Sequence, residues 1–135
     1  MKYILHGRPI PLQRPRFYKG HIVDPQRNQK FLDGIQIKRQ HGLHPYLPGT
    51  LRADIVFFMP ICKSVAEKGR DKLRYTWHPY KPDIDNLIKY ILDVCNEIVY
   101  ADDSQISMIH AKKIWYEVGK TEVTFTEING KEEYE

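Results

Sequence analysis

The sequence predicts one small domain of the α+β class, because 135 residues suit a single core and two hydrophobic periods occur along the chain. The first is strict alternation, clearest in TLRADIVFFMP at residues 50–60, where Leu51, Ala53, Ile55 and Phe57 share one face. The second is a helical stripe of Ile84, Leu87, Ile88, Ile91, Cys95 and Ile98, spaced i, i+3, i+4, i+7. No repeat or linker divides the chain, so residues 1–135 are read as one unit.

Lys2–His6 reads as a first strand. The Pro-, Gly- and Arg-rich GRPIPLQRPRFYKGHIVDP that follows predicts an extended or hairpin-like segment. Residues 25–40 predict a helix with Phe31, Ile35 and Ile37 inward, Asp24 as N-cap and Pro25 at the first helical position; Gly34 weakens it. After the 51–60 strand, Ser64 and Glu67 have capping-box spacing for a short exposed helix, and TWHPYKP is extended. The 84–98 helix comes next, then an acidic turn, YADDSQ. A strand from Gln105 follows, with Ile106, Met108, His110, Lys112 and Ile114 on one side. Gly119–Lys120 suits a hairpin turn into a last strand, TEVTFTEI, and the tail from about residue 129 is expected to be loose.

Charge is unevenly spread. Residues 1–50 carry nine Lys/Arg against two Asp, while the rest of the chain has twelve against fifteen acids. A basic first half suits an anionic partner, nucleic acid first among them, although proteins that bind nothing anionic often show such an excess. The N-terminal apolar run, Tyr3–Leu5, is too short for a signal peptide or a membrane span, which points to the cytoplasm. Cys62 and Cys95 lack metal-ligand spacing and are expected to be reduced and buried.

The chemistry concentrates in KPDIDNLIKYILDVCNEIVYADDSQI. Pro82 favours a non-helical run-in, and in extended backbone Asp83 and Asp85 would project to one side, with the helix starting near Asp85 or Asn86. An aspartate there is ordinarily a cap, and Lys89, one turn after Asp85, is ordinarily its i,i+4 ion-pair partner. The return strand could bring Asp102 or Asp103 back to the first pair, which spacing alone does not decide. Three gathered carboxylates would need a cation; oxygen ligands suit Mg²⁺ or Mn²⁺, and the missing Cys/His spacing argues against zinc.

The combination of D-x-D-N-L-x-K, an apolar helix, D-D-x-Q-I and the lysine-bearing AKKIWY strand resembles the RusA family of Holliday-junction resolvases, many of them prophage-encoded. The upstream GRPIPLQRPRF and the strand ending FFMP also match, so the resemblance covers most of the chain. It implies a mixed sheet packed against a few helices, a homodimer, and Mg²⁺-dependent hydrolysis (Mn²⁺ substituting) of branched DNA in recombination and repair. Carried over by position, Asp83, Asp85 and Asp103 become metal ligands and catalytic residues with Lys89, and Asp102 is an additional candidate ligand. Arg8, Arg14, Arg16 and Lys19 are candidates for gripping DNA, the alternative being solvated loop charges. The polar insert at residues 63–80 departs from the pattern. A nuclease for flaps or forks, or a non-catalytic DNA-binding protein that keeps the aspartates as caps, are the competing readings.

Overall fold

The computed structural model describes residues 1–134. Its elements run β1 (Lys2–His6), β2 (Arg16–Tyr18), β3 (His21–Val23), α1 (Arg27–His41), β4 (Leu51–Pro60), α2 (Glu67–Leu73), α3 (Ile84–Cys95), a 3₁₀ turn (Asp103–Gln105), β5 (Ile106–Tyr116) and β6 (Lys120–Glu127). The result is an α+β domain with a four-stranded mixed sheet ordered β1-β6-β4-β5 and a separate two-stranded ribbon, β2-β3.

β4 takes the centre because its alternation is the strongest. Leu51, Ala53, Ile55, Phe57 and Met59 are buried, and every intervening residue is half-buried. Leu87, Tyr90, Ile91, Val94 and Cys95 of α3 complete the core with Ile37, Tyr3, Val123 and Phe125. Each large apolar side chain so buried contributes roughly 1.5–3 kcal/mol.

The expected hairpin at Gly119–Lys120 does not form. β5 and β6 lie on opposite sides of β4, parallel and antiparallel to it, so residues 117–119 step across its end. Gly119 is needed at that step, since a Cβ there would sit 2.8 Å from the Arg8 Cα. Gly119→Ala should therefore destabilise the fold by ~1–3 kcal/mol through forced backbone shifts. Urea denaturation checks this, and an unchanged midpoint would show that the crossing has slack.

α1 departs most from expectation. It begins at Arg27 rather than Pro25, because the Asp24 carboxylate accepts the Gln26 N–H at 2.9 Å and holds a turn ahead of the helix. Phe31 points outward and is exposed, whereas Ile37 is buried. Polar contacts dock this helix. Gln40 exchanges two 2.7 Å hydrogen bonds with the Ile4 backbone, and Gln36 accepts the His6 N–H, so glutamines close the edge that β1 would otherwise leave open. Lys30 bridges Asp24 and Asp93 at 2.9 and 2.8 Å, and buried Asp33 accepts the Tyr90 hydroxyl at 2.6 Å.

In the polar insert, α2 starts after Ala66, without the Ser64 cap. The extended segment behind it covers the end of β5, with Trp77 bridging to Ile114. Cys95 is buried as expected, but Cys62 is exposed, because its loop leaves the sheet immediately after Ile61. No helix among the described residues is long and apolar enough to cross a membrane.

Candidate active site

The chain enters α3 through Pro82 and Asp83 in extended backbone, and Asp83 occupies the N-cap position (φ −68°, ψ 140°). The helix thus begins at Ile84, where the apolar stripe starts, and Asp85 lies inside its first turn rather than in the run-in. Both carboxylates still border one open cleft, shared with Tyr80, Lys81 and Lys113. Asp85 there faces the positive end of the helix dipole.

Capping does not consume Asp83. Its side chain makes no cap hydrogen bond and instead meets Lys81 Nζ at 2.9 Å, with the Lys81 side chain 86% exposed. Such a surface pair is worth ~0–1 kcal/mol, so the carboxylate is readily diverted to another cation. Lys89 is exposed one turn beyond Asp85, and the ordinary ion pair between them is not made among the described residues.

Lys113 was not singled out from the sequence. On β5 it pairs with buried Phe57, which turns its side chain toward α3, and Nζ donates to the carbonyls of Tyr80 (2.6 Å) and Pro82 (2.7 Å). These bonds hold the run-in that aims Asp83. Partial burial pushes the Lys113 ammonium below its usual range, with the Asp83 carboxylate opposing and the Lys81 ammonium adding to the fall. Alternation from Ile106 would put Lys112 on the side toward α3; the register shift between Leu51 and Arg52 puts Lys113 there instead.

Asp103 does not join the pair within one chain. Its backbone N–H donates to Asn96 Oδ1 at 3.0 Å, at the far end of α3, and the acids that hold its carboxyl above the usual range, after burial, are Asp102 and Asp93. Twelve helical residues rise ~18 Å, so the two acidic groups sit at opposite ends of α3. β5 does run beside β4, but Asp103 precedes it in a 3₁₀ turn instead of riding along it. Asp102 serves that turn: its carboxylate accepts the Ser104 hydroxyl at 2.8 Å, while Gln105 Oε1 accepts the Ala101 and Asp102 N–H groups. Among the described residues no three His, Cys, Asp or Glu side chains gather as a metal site.

Of the candidate DNA contacts, Arg8 sits against the 117–119 crossing, with its backbone beside Gly119. Arg14 precedes the β2-β3 ribbon, whose first strand and turn carry Arg16 and Lys19. The ribbon is rooted beside the acidic pair, with the Leu12 N–H donating to the Asn86 carbonyl at 2.9 Å.

Residues 6–126 match the family model described as endodeoxyribonuclease RusA. The chain is similar to the uncharacterized protein YqaN of Bacillus subtilis (strain 168), 29% identical over 141 residues, covering 96% of this chain and 97% of that protein. It is also similar to the crossover junction endodeoxyribonuclease rusA of Lactococcus phage r1t, 33% identical over 79 residues, covering 58% of this chain and 55% of the phage protein.

Proposed function

The chain belongs to the RusA family of endodeoxyribonucleases, hydrolases of phosphodiester bonds, and on that premise we propose that it resolves four-way DNA junctions with the help of Mg²⁺. The observation that carries the reading is the pair Asp83 and Asp85, two carboxylates on one open cleft with no capping role to occupy Asp83. Mg²⁺ is characteristically held by one or two carboxylates with substrate phosphate and water filling the rest, and this oxygen-only pair fits it. When bound there, the cation would lower the pKa of a water and offset charge on the scissile phosphate.

The chain's own groups do the positioning. Asp83 and Asp85 would hold the cation, and exposed Lys89, a turn along the same helix, would offset charge that develops on the phosphate during in-line attack. Lys113 keeps the Asp83 run-in fixed through two backbone carbonyls. Its loss should act through the carboxylate geometry: Lys113→Met is expected to raise the Mg²⁺ concentration needed for half-maximal cutting ~10–100-fold while sparing junction binding. A Mg²⁺ titration of cleavage rate measures this. An unchanged half-saturation would confine Lys113 to folding.

The third carboxylate is supplied by a second copy in this reading. Two α3 helices packed antiparallel about a two-fold axis would bring each Asp103 to the other subunit's Asp83 and Asp85, giving two sites for two cuts. The partly buried stripe of Ile84, Ile88 and Leu92 runs between the two acidic ends of α3 and suits such a contact.

A synthetic four-way junction tests the activity, with flap, fork and plain duplex controls and with Mg²⁺ or EDTA. Paired, ligatable nicks on the junction, dependent on Mg²⁺, are the expected result. Faster cutting of flaps or forks would shift the substrate, and no cutting with Mg²⁺ or Mn²⁺ would leave a binding protein.

A further inference from the structure

We propose that the β2-β3 ribbon is a wedge for the branch point, seating Phe17 and Ile22 against bases that a junction leaves unstacked; this rests on the branched-DNA reading above. The ribbon turns tightly through Lys19 and Gly20, both at positive φ (47° and 78°), the geometry of a two-residue hairpin turn. Phe17 pairs with Ile22 across it, so the two side chains share a face, and they are 77% and 75% exposed. Arg16, Tyr18 and His21 occupy the other face. A two-stranded hairpin with an uncovered apolar face is marginal alone, so this one is completed by what it binds.

Its root gives it a fixed place. Gln26 accepts the Gln13 N–H at 2.9 Å and donates to the Pro11 carbonyl at 2.7 Å, closing the neck of the excursion. The bond from Leu12 to Asn86 ties that neck to the residue after Asp85. The neck of the ribbon therefore lies along α3, from Asn86, next to Asp85, toward Asp93, which shares Lys30 with Asp24, so that a wedge at the exchange point would set a nearby strand for cutting.

Charge selects the occupant. The chain contains no Asp or Glu before Asp24, and that carboxylate is committed to Lys30 and the Gln26 N–H. Arg14, Arg16 and Lys19 are thus unopposed on the ribbon and its approach, which repels a second copy of the same surface and attracts a polyanion. Continuous duplex covers both faces of each base, and opening it costs unstacking. At a four-way exchange point stacking is already interrupted, so Phe17 can take a base face there at the least cost, with Arg16 and Lys19 on flanking phosphates.

The test uses the 135-residue chain carrying Asp83→Asn, uncut junction, and 2-aminopurine beside the exchange point. Binding should brighten the probe severalfold. Adding Phe17→Ala and Ile22→Thr should remove most of that rise while leaving the melting temperature and the salt dependence of binding as they were. Arg14→Ala, Arg16→Ala and Lys19→Ala together should instead flatten the slope of log K against log salt by ~0.9 per lost contact. A double variant that brightens the probe like its parent would overturn the wedge alone. So would one that is monomeric where its parent is a dimer, which would assign the face to a second copy. A parent protein with no preference for four-way over duplex DNA would overturn the branched-DNA reading, and the wedge with it.

Discussion

Asp83→Asn and Asp85→Asn proteins are expected to bind a four-way junction as tightly as the parent, or more tightly, and to cut it at least ~10³-fold more slowly, a loss of ~4 kcal/mol in transition-state stabilisation. Asparagine keeps the size of the side chain and removes the charge that would hold a cation. The fold should barely notice. Asp83 makes no cap hydrogen bond, and Asp85 is exposed in the first turn, where its interaction with the helix dipole is worth ~0.3–1 kcal/mol. Neutralising either carboxylate also removes repulsion toward phosphate, which is why binding should hold or improve. Near-parental cutting in Mg²⁺ by either protein would sink the catalytic assignment, and a large fall in melting temperature would return Asp83 to the role of a cap.

The parts of this molecule written in a single apolar period were legible. β4 and α3 bury one clean face each, so alternation and the 3.6-residue stripe located them to within a few residues. α1 was poorly legible because its docking is polar. Apart from Asp24 just ahead of it, its partners are the backbone of β1, Asp93 and Tyr90, none of which is near in sequence, and Phe31 carries no information about the buried side. Strand order was illegible for a different reason. Gly119–Lys120 has hairpin chemistry, but β4 outcompetes β5 and β6 for each other by offering both of them an apolar, alternating partner.

The acidic pair was legible as a motif and less so as geometry. Two residues apart in extended backbone would align Asp83 and Asp85 by pleat; the observed arrangement instead joins a cap position to a first-turn position at the same cleft. Lys113 escaped notice because its importance lies in two carbonyls more than thirty residues upstream in the chain, Tyr80 and Pro82. Asp103 is the more instructive case. Motif matching ranks it with the pair, yet α3 separates them by its full length, a distance that no reading of one chain can close.

Mixing two inactive proteins should therefore restore cutting. If each site combines Asp83 and Asp85 of one subunit with Asp103 of its partner, an Asp83→Asn homodimer and an Asp103→Asn homodimer are both dead. In the mixed dimer the two lesions fall in the same site. The other site is then intact, with an unaltered pair from one subunit and an unaltered Asp103 from the other. Random exchange makes half of the dimers mixed, so about a quarter of the parental number of sites should be active. Each mixed dimer should nick one strand without resolving the junction. Asp102→Asn should not behave this way, because its carboxylate is bonded to the Ser104 hydroxyl in the turn and its loss should leave measurable activity in the homodimer. The measurement is nicking of an end-labelled junction after the two proteins are mixed, denatured and refolded together, with each refolded alone as control. Restored single-strand nicking requires the carboxylates to meet across the two-fold axis. Silence from a mixture shown to contain mixed dimers would mean that Asp103 acts with its own chain's pair, and that the ~18 Å of α3 is bridged by a conformational change on DNA.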